Sequence, residues 1–436
     1  MIQGRQTIFA LSSGKVPSGV AVIRVSGPDT AAVFTALVGL LPLPRTATLK
    51  SIQSRNGRTL DKGLVLWFPG PVSFTGEDCA EFHCHGGAAV VSALLAELSH
   101  IEGCRLADAG EFSLRAFING KADLTQMEAL ADLIDAETET QRALAISGTS
   151  GAQKALYEGW RSQLLKARAF LEADLDFSDE GDVPGSVAAA SQGIVDRLRM
   201  ALEEHLKTVS TAEIIRDGYR VVIAGAPNTG KSTLLNTLAK REVAIVTDTA
   251  GTTRDVLDVS LDLGGVKVIV SDTAGLRQTS DKVEAIGIER AHTAIENANL
   301  VLMLSDGAPI RAVQNSQVWA VRTKTDLAAR PIAGFDHSIS CQSGDGINQL
   351  VEAIGVHVRN AVGDWYEGKI VTRARHRILL ENAFDALMRF ESAQTNGAEF
   401  AAEELRLAAD ALGRITGVIS TEDVLGAIFS SFCIGK

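Results

Sequence analysis

The run Gly225-Ala226-Pro227-Asn228-Thr229-Gly230-Lys231-Ser232 limits what this chain can fold into more than any other stretch. It spells G-x-x-x-x-G-K-[ST], follows the apolar run Val221 to Ala224 and precedes the helix-like Thr233 to Lys240. Strand, loop and helix therefore come in the order that a phosphate cradle needs. Glycines let successive backbone N–H groups turn inward on an anion, and the helix N-terminus adds its dipole. Lys231 then reaches the terminal phosphates and Ser232 ligates Mg2+. Further apolar runs at Val266 to Val270, Leu300 to Leu304 and Val318 to Val321 are separated by helix-length stretches. That alternation predicts a mostly parallel α/β sheet of the Ras-like P-loop kind around the loop.

Two more fragments stand where a nucleotide switch has them. Asp272-Thr273-Ala274-Gly275 ends the run Val266 to Ser271, where a carboxylate holds magnesium through water and a glycine amide senses the γ-phosphate. The polar loop Thr247 to Asp255 holds Thr247, Asp248, Thr249, Ala250, Gly251, Thr252 and Thr253, and a switch hydroxyl there, Thr253, is placed to close on Mg2+. With Asn228, Thr229, Gly230, Lys231, Ser232 and Thr233, these are the expected phosphate and metal contacts. The base is read elsewhere. GTPases carry N-K-x-D after a later strand, its Asp accepting two hydrogen bonds from the guanine edge; here Thr323-Lys324-Thr325-Asp326 follows Val318 to Arg322. Asp326 is present and the Asn is not, and a hydroxyl is too short to make the bridge of an amide. Ser340-Cys341-Gln342 takes the place of the backbone loop that contacts the guanine oxygen, so GTP is expected rather than ATP.

A chain of 436 residues predicts two to four domains at about 100 to 200 residues each. Residues 1–118 read as a small α+β domain, with strand-like Val20 to Val25, Leu64 to Phe68 and Ala80 to Cys84 and helix-like Ala88 to Leu98. After Asn119-Gly120 a 3.6-residue period begins, with Thr125 and Glu128 as an expected capping box. Leu156, Trp160, Leu164, Leu171 and Leu175 form one stripe, Ile194, Leu198, Leu202 and Leu206 another, and the habit resumes at Ile378 to Phe390 and Glu403 to Ile415. One helical domain, 119–212 with 371–436, is thus interrupted by an inserted α/β domain, 213–370.

The net charge of −11 excludes a generic nucleic-acid coater, so any RNA contact has to be local or brought by a partner. Arg373, Arg375 and Arg377, with His376, are one such local cluster; a solvated helix end is the plainer reading. The N-terminal stretch lacks the pattern of a signal peptide and no apolar run approaches the roughly 18 residues of a membrane helix, so no membrane association and a cytoplasmic location are expected. Five cysteines without a C-x-x-C pair fit reduced thiols. Cys79, His83, Cys84 and His85 invite a metal reading, but a strand there points His83 and His85 to one face and Cys84 to the other.

The flanking motifs are specific. Thr7-Ile8-Phe9-Ala10, Ile23-Arg24-Val25-Ser26-Gly27, Ser73-Phe74-Thr75-Gly76-Glu77-Asp78, His83-Cys84-His85-Gly86-Gly87, Gly110-Glu111-Phe112-Ser113-Leu114-Arg115-Ala116-Phe117, Asn119-Gly120-Lys121 and Phe432-Cys433-Ile434-Gly435-Lys436 together resemble the MnmE/TrmE family of tRNA-modifying GTPases over essentially the whole chain. The resemblance implies an N-terminal folate-binding and dimerisation domain, a helical domain and an inserted G domain. It implies a homodimer that joins an FAD-binding MnmG/GidA-type partner, as a heterotetramer, to install an aminomethyl or carboxymethylaminomethyl group at C5 of the wobble uridine U34 of certain tRNAs. A tetrahydrofolate derivative, 5-formyl- or methylene-tetrahydrofolate, would supply the one-carbon unit.

By the same resemblance, Arg24, Glu81, Lys121 and Lys436 are folate contacts, suited to a pterin edge that wants a carboxylate and a glutamate tail that wants cations. Leu276 stands where Ras-like enzymes keep a water-orienting Gln, and the family's answer is K+, matched here by Asn228, Thr247, Thr249 and Thr252, with Glu284 as the catalytic, water-orienting carboxylate. The alternative function is a GTP switch in RNA or ribosome assembly, which usually carries a basic module that this acidic chain lacks.

Overall fold

A computed structural model describes residues 6–176, 186–245, 258–272, 293–310, 317–327, 332–363, 371, 373–419, 422–430 and 432–435. They divide into two compact units, one of 1–131, 154–161 and 412–436 and one of 132–153 and 162–411. Among the described residues no helix is long and apolar enough to cross a membrane.

The first unit is built on a mixed sheet of six strands: β1 (Thr7–Leu11), β2 (Ser18–Ser26), β3 (Thr48–Gln53), β4 (Thr59–Phe68), β5 (Cys79–Gly86) and β6 (Cys104–Leu106), in the order β3-β4-β5-β2-β1-β6. Only β1 and β6 run parallel; the other neighbours are antiparallel. Period-two alternation sends Ile23 and Val25 of β2 and Ala80, Phe82 and Cys84 of β5 into one core with Phe34, Leu37, Leu94 and Leu98 from the helices Thr30–Val38 and Ala88–Ser99. Arg24, Glu81 and His83 are left on the other face, where they are half-buried.

The second unit holds the expected α/β sheet. Strands β7 (Tyr219–Gly225), β8 (Asp258–Asp262), β9 (Lys267–Asp272), β10 (Leu300–Ser305), β11 (Gln317–Arg322) and β12 (His337–Ser338) lie in the order β12-β11-β10-β7-β9-β8. All neighbours are parallel except the β8–β9 hairpin. Val221 and Ile223 face one core, with Leu234, Leu235 and Leu238 of the helix Lys231–Ala239 and Leu350 and Ile354 of the helix Ile347–Val362; Val222 and Ala224 face another, with Val301 and Met303. Strands buried on both faces read as unbroken apolar runs, which is why they stood out in the sequence.

The helix Glu139–Thr149 is packed with this sheet. Its Leu144 joins the same core as Val221, Thr140 N–H donates to Gly265 O at 3.1 Å, Gln141 Nε2 donates to Arg216 O at 2.9 Å, and Glu137 just before it pairs with Lys267. Farther along, the helices Ser186–Leu206 and Ala374–Asn396 pack against each other, the first burying Ile194, Leu198 and Leu202 and the second Leu380, Ala383, Leu387 and Phe390.

Two local expectations shift. The helix Leu124–Asp135 is capped by Asp123, whose Oδ1 accepts the N–H groups of Thr125 at 2.8 Å and Gln126 at 3.2 Å, while Gln126 Oε1 accepts Asp123 N–H at 3.0 Å. The box is therefore Asp123-x-x-Gln126, and Thr125 and Glu128 are buried inside the helix. In the helix Ala152–Asp176 the stripe is Tyr157, Trp160, Leu164, Ala167 and Leu171, with Tyr157 in the place expected of Leu156.

Candidate functional site

The nucleotide loop leaves the C-terminal end of β7, a central strand, which is where parallel sheets present ligand sites. Gly225 has φ +145°, and a Cβ there would lie 2.4 Å from Leu304 O on β10, so only glycine lets the chain turn away so close to its neighbour. Asn228, exposed at the crest, has φ +65°, a conformation Asn tolerates better than most residues, and Gly230 at φ +91° opens the helix Lys231–Ala239. Thr229 folds its hydroxyl onto Ala226 O at 2.8 Å. Lys231 lies across the loop, Nζ donating to Gly225 O at 3.0 Å and Ala226 O at 2.9 Å.

Next to it, Ser232 Oγ donates to Asp272 Oδ2 at 2.7 Å, and Asp272 is 1% exposed at the end of β9. Two hard oxygen donors from separate elements thus meet at the mouth of the loop, a donor set suited to Mg2+. Thr233, on the first turn of the same helix, is exposed.

The segments expected to read the base also come together. Asp326 is exposed and its Oδ1 accepts Ser340 Oγ–H at 2.6 Å. Ser340 is fully buried, and its Oγ accepts the N–H groups of Gln342 at 3.3 Å and Ser343 at 3.2 Å. Lys324, at φ +56°, pairs with Asp306 at 2.8 Å, and Thr325 N–H donates to Ile339 O at 3.3 Å. Burial pushes the Cys341 thiol up; Thr237 opposes this through a hydrogen bond and the Asp326 charge adds to it. Thr323 is 4% exposed, and its hydroxyl has no hydrogen-bond partner among the described residues. Such a group costs about 1–3 kcal/mol relative to a paired one. Thr247, Asp248, Thr249, Ala250, Gly251, Thr252, Thr253, Thr273, Ala274, Gly275 and Glu284 lie outside the described residues, as does Lys436.

In the first unit Arg24 and Glu81 are cross-strand partners on β2 and β5, joined at 2.9 Å, and His83 Nε2 lies 3.2 Å from the other Glu81 oxygen. The Arg24 guanidinium stacks 5.2 Å from the ring centre of Phe74 and 5.9 Å from that of Phe112. Lys121 Nζ donates to Pro71 O at 2.9 Å, and its stem lies against Gly76. The loop 71–76 thus places an aromatic ring at Arg24 and accepts Lys121, so two of the predicted folate residues border one loop, and Glu81 is joined to the first of them. His85 bonds Asp61 at 2.8 Å and Cys84 is buried, so His83 and His85 are engaged by carboxylates and Cys84 faces the core.

Beneath this surface lies a network that sequence reasoning missed. Glu111 (5% exposed) takes Arg105 at 2.6 Å and Arg115 at 2.9 Å; Arg115 (6% exposed) also holds Glu77 at 2.9 Å, and Glu77 accepts Ser26 Oγ–H at 2.7 Å. Burial would raise the Glu111 carboxyl, but hydrogen bonds from Arg105, the Asp108 N–H and Arg115 outweigh it and hold it below the usual carboxylate range. The terminal tail is seated in the same unit: Gly110 N–H donates to Cys433 O at 3.4 Å and Ser12 Oγ–H to Gly435 O at 2.8 Å. Gly435 has φ +94° with a Cβ position 2.1 Å from Leu11 O, so no other residue fits there unchanged.

The arginine cluster of the second unit is occupied internally: Arg373 pairs with Asp132 at 2.5 Å, Arg377 with Glu213 at 3.2 Å, and Arg375 bonds His376, which is fully buried. That favours a structural role over RNA contact.

The family model for the MnmE helical domain matches residues 124–433, and that for the GTP-binding protein TrmE N-terminus matches 7–121. The chain belongs to the MnmE/TrmE family. Its relatives in that family include the tRNA modification GTPase MnmE of Brucella anthropi, 51% identical over 436 residues, and that of Brucella canis, 50% identical over 434; each match covers 99% of this chain and 98% of the relative. Among solved structures, the G domain of the T. maritima FeoB iron transporter aligns with 32% of this chain and 98% of its own at 21% identity, with a TM-score of 0.23.

Proposed function

We propose that the chain is a GTPase of tRNA modification that depends on K+. As a homodimer joined to an FAD-binding MnmG/GidA-type partner in the cytoplasm, it converts C5 of the wobble uridine U34 of certain tRNAs to an aminomethyl or carboxymethylaminomethyl derivative. The observation that carries the reading is the meeting of Ser232 and Asp272 at 2.7 Å beside the Lys231 loop, in a chain of this family.

On this reading the loop amides and the Lys231 ammonium bind the β- and γ-phosphates, and Asp326 takes the guanine edge. Ser232, Asp272 and Thr253 would hold Mg2+, and Asn228, Thr247, Thr249 and Thr252 would hold K+, which would supply positive charge to offset that on the phosphate oxygens. Glu284 orients the attacking water, the role that Leu276 cannot fill. In the first unit, Glu81, Arg24, Lys121 and Lys436 would hold a folate, Glu81 accepting pterin N–H donors and the cations meeting its carboxylate tail, and that folate would supply the one-carbon unit. What supports this end is the ladder of Arg24, Glu81 and His83 on one half-buried sheet face.

The test is to purify the chain with its flavin partner and assay modified U34 in tRNA by nucleoside mass spectrometry, with K+ or Na+ and with or without GTP. Product is expected only with GTP, and at least tenfold more in K+. Equal product without nucleotide would overturn the proposal.

A further inference from the structure

We propose that Thr323 is a silent position in the base pocket: it takes no part in holding the nucleotide, so guanine selectivity is left to Asp326 and the Ser340 that fixes it. The inference rests on the guanine reading above and concerns how that site sets its affinity.

The two polar groups are disposed in opposite ways. The Thr323 N–H is used by the sheet, donating to Ser305 O at 3.0 Å, and its hydroxyl is closed off from solvent and has no hydrogen-bond partner among the described residues. A base arriving from solvent therefore meets neither the N–H nor the hydroxyl of Thr323. Asp326 faces solvent on a rigid mount, since the Ser340 hydroxyl donates a hydrogen bond to the carboxylate and accepts hydrogen bonds from two backbone N–H groups. A carboxylate accepts two hydrogen bonds, and guanine offers two donors on one edge, N1–H and the 2-amino group. Adenine presents an acceptor at N1 and is repelled. That chemistry suffices for selectivity, and it does not involve residue 323. An amide at 323 carries a donor and an acceptor one bond farther from Cα than the hydroxyl, far enough to reach either the neighbouring loop or the imidazole edge of the purine. Guanine and adenine share that edge, so affinity should rise without a change in selectivity.

The test is calorimetric titration of the full chain, in Mg2+ and K+, with GDP, IDP and ADP. In Thr323→Val, which keeps the shape and removes the hydroxyl, Kd for GDP is expected within twofold of the unaltered chain. In Thr323→Asn it should fall at least fivefold, with the preference for GDP over ADP kept. IDP, which lacks the 2-amino group, should bind at least tenfold more weakly than GDP in all three chains. A tenfold loss of GDP affinity in Thr323→Val would overturn the proposal, because the hydroxyl would then be in use. So would a preference for GDP over IDP that changes with residue 323. Because a larger side chain can disturb a buried position, the valine variant decides by itself if the asparagine variant melts early. Equal binding of GDP and ADP by the unaltered chain would instead remove the guanine reading beneath it.

Discussion

The polar residues of the two candidate sites are prepared for ligands in different ways. Around Arg24 and Glu81 the charged side chains are tied to one another, and the layer beneath is an ion network in which Glu111 and Arg115 are buried and their partners Glu77 and Arg105 are half-buried. Around Lys231 and Asp326 the backbone does the preparing. Gly225, Asn228, Gly230 and Lys324 all have positive φ, and the side chains are held by one or two bonds each, as in Ser232 to Asp272 and Asp326 to Ser340. The first region is stiffened by charges that must stay paired. The second is shaped by a loop whose side chains can exchange their internal partners for a phosphate or a base.

The sharpest way to break that contrast is to unpair the buried network. Arg115→Ala leaves Glu111 and Glu77 without a shared cation, and loss of one partner of a buried pair costs about 3–5 kcal/mol. Thermal unfolding should show that loss in the full chain while the GDP titration stays unchanged; a variant as stable as the parent would mean that the network does not stiffen the unit. Lys231→Ala should do the reverse, lowering GTP turnover by roughly 10²- to 10³-fold, as for a lost charge-stabilising donor, with little change in melting temperature. Steady-state turnover and a melt on the same sample check both halves.

Acid sharpens the comparison by a smaller amount. The Glu111 carboxyl is held below its unfolded value of about 4.3, so its contribution is complete above that pH and is lost as pH falls through the folded value. Equilibrium unfolding of the full chain at stepped pH should show stability falling below about pH 4.3, and Glu111→Gln should flatten that part of the curve. An unchanged slope would show that the pairs around Glu111 carry none of the acid sensitivity.

These differences also explain what the sequence made legible. A phosphate loop is local: its glycines, lysine and hydroxyl are consecutive, and the strand and helix beside it are apolar runs, so Lys231, Ser232 and Asp272 were predicted together and are found together. Helix starts are less distinct, because Asp123-x-x-Gln126 and Thr125-x-x-Glu128 both satisfy the capping pattern, and only burial of Thr125 and Glu128 separates them. Tyr157 was missed because Leu156 fits the stripe equally well by spacing alone. The ion network was not legible at all. Ser26 and Glu77 join Arg105, Glu111 and Arg115 from distant segments, and a charged residue read one at a time is usually a surface residue. The helix Glu139–Thr149 likewise reads as part of a helical domain, yet Leu144 belongs to the core of the α/β sheet.

The most direct test of the account returns to the nucleotide pocket in the cell. In a strain lacking this chain, nucleoside mass spectrometry of bulk tRNA should show the C5-modified wobble uridine lost. The parent sequence should restore it, and Asp272→Asn, expressed at the same level, should leave it below one tenth of the parent's amount. Restoration by Asp272→Asn, or wobble uridines unaltered by the deletion, would contradict the claim that this pocket drives tRNA modification.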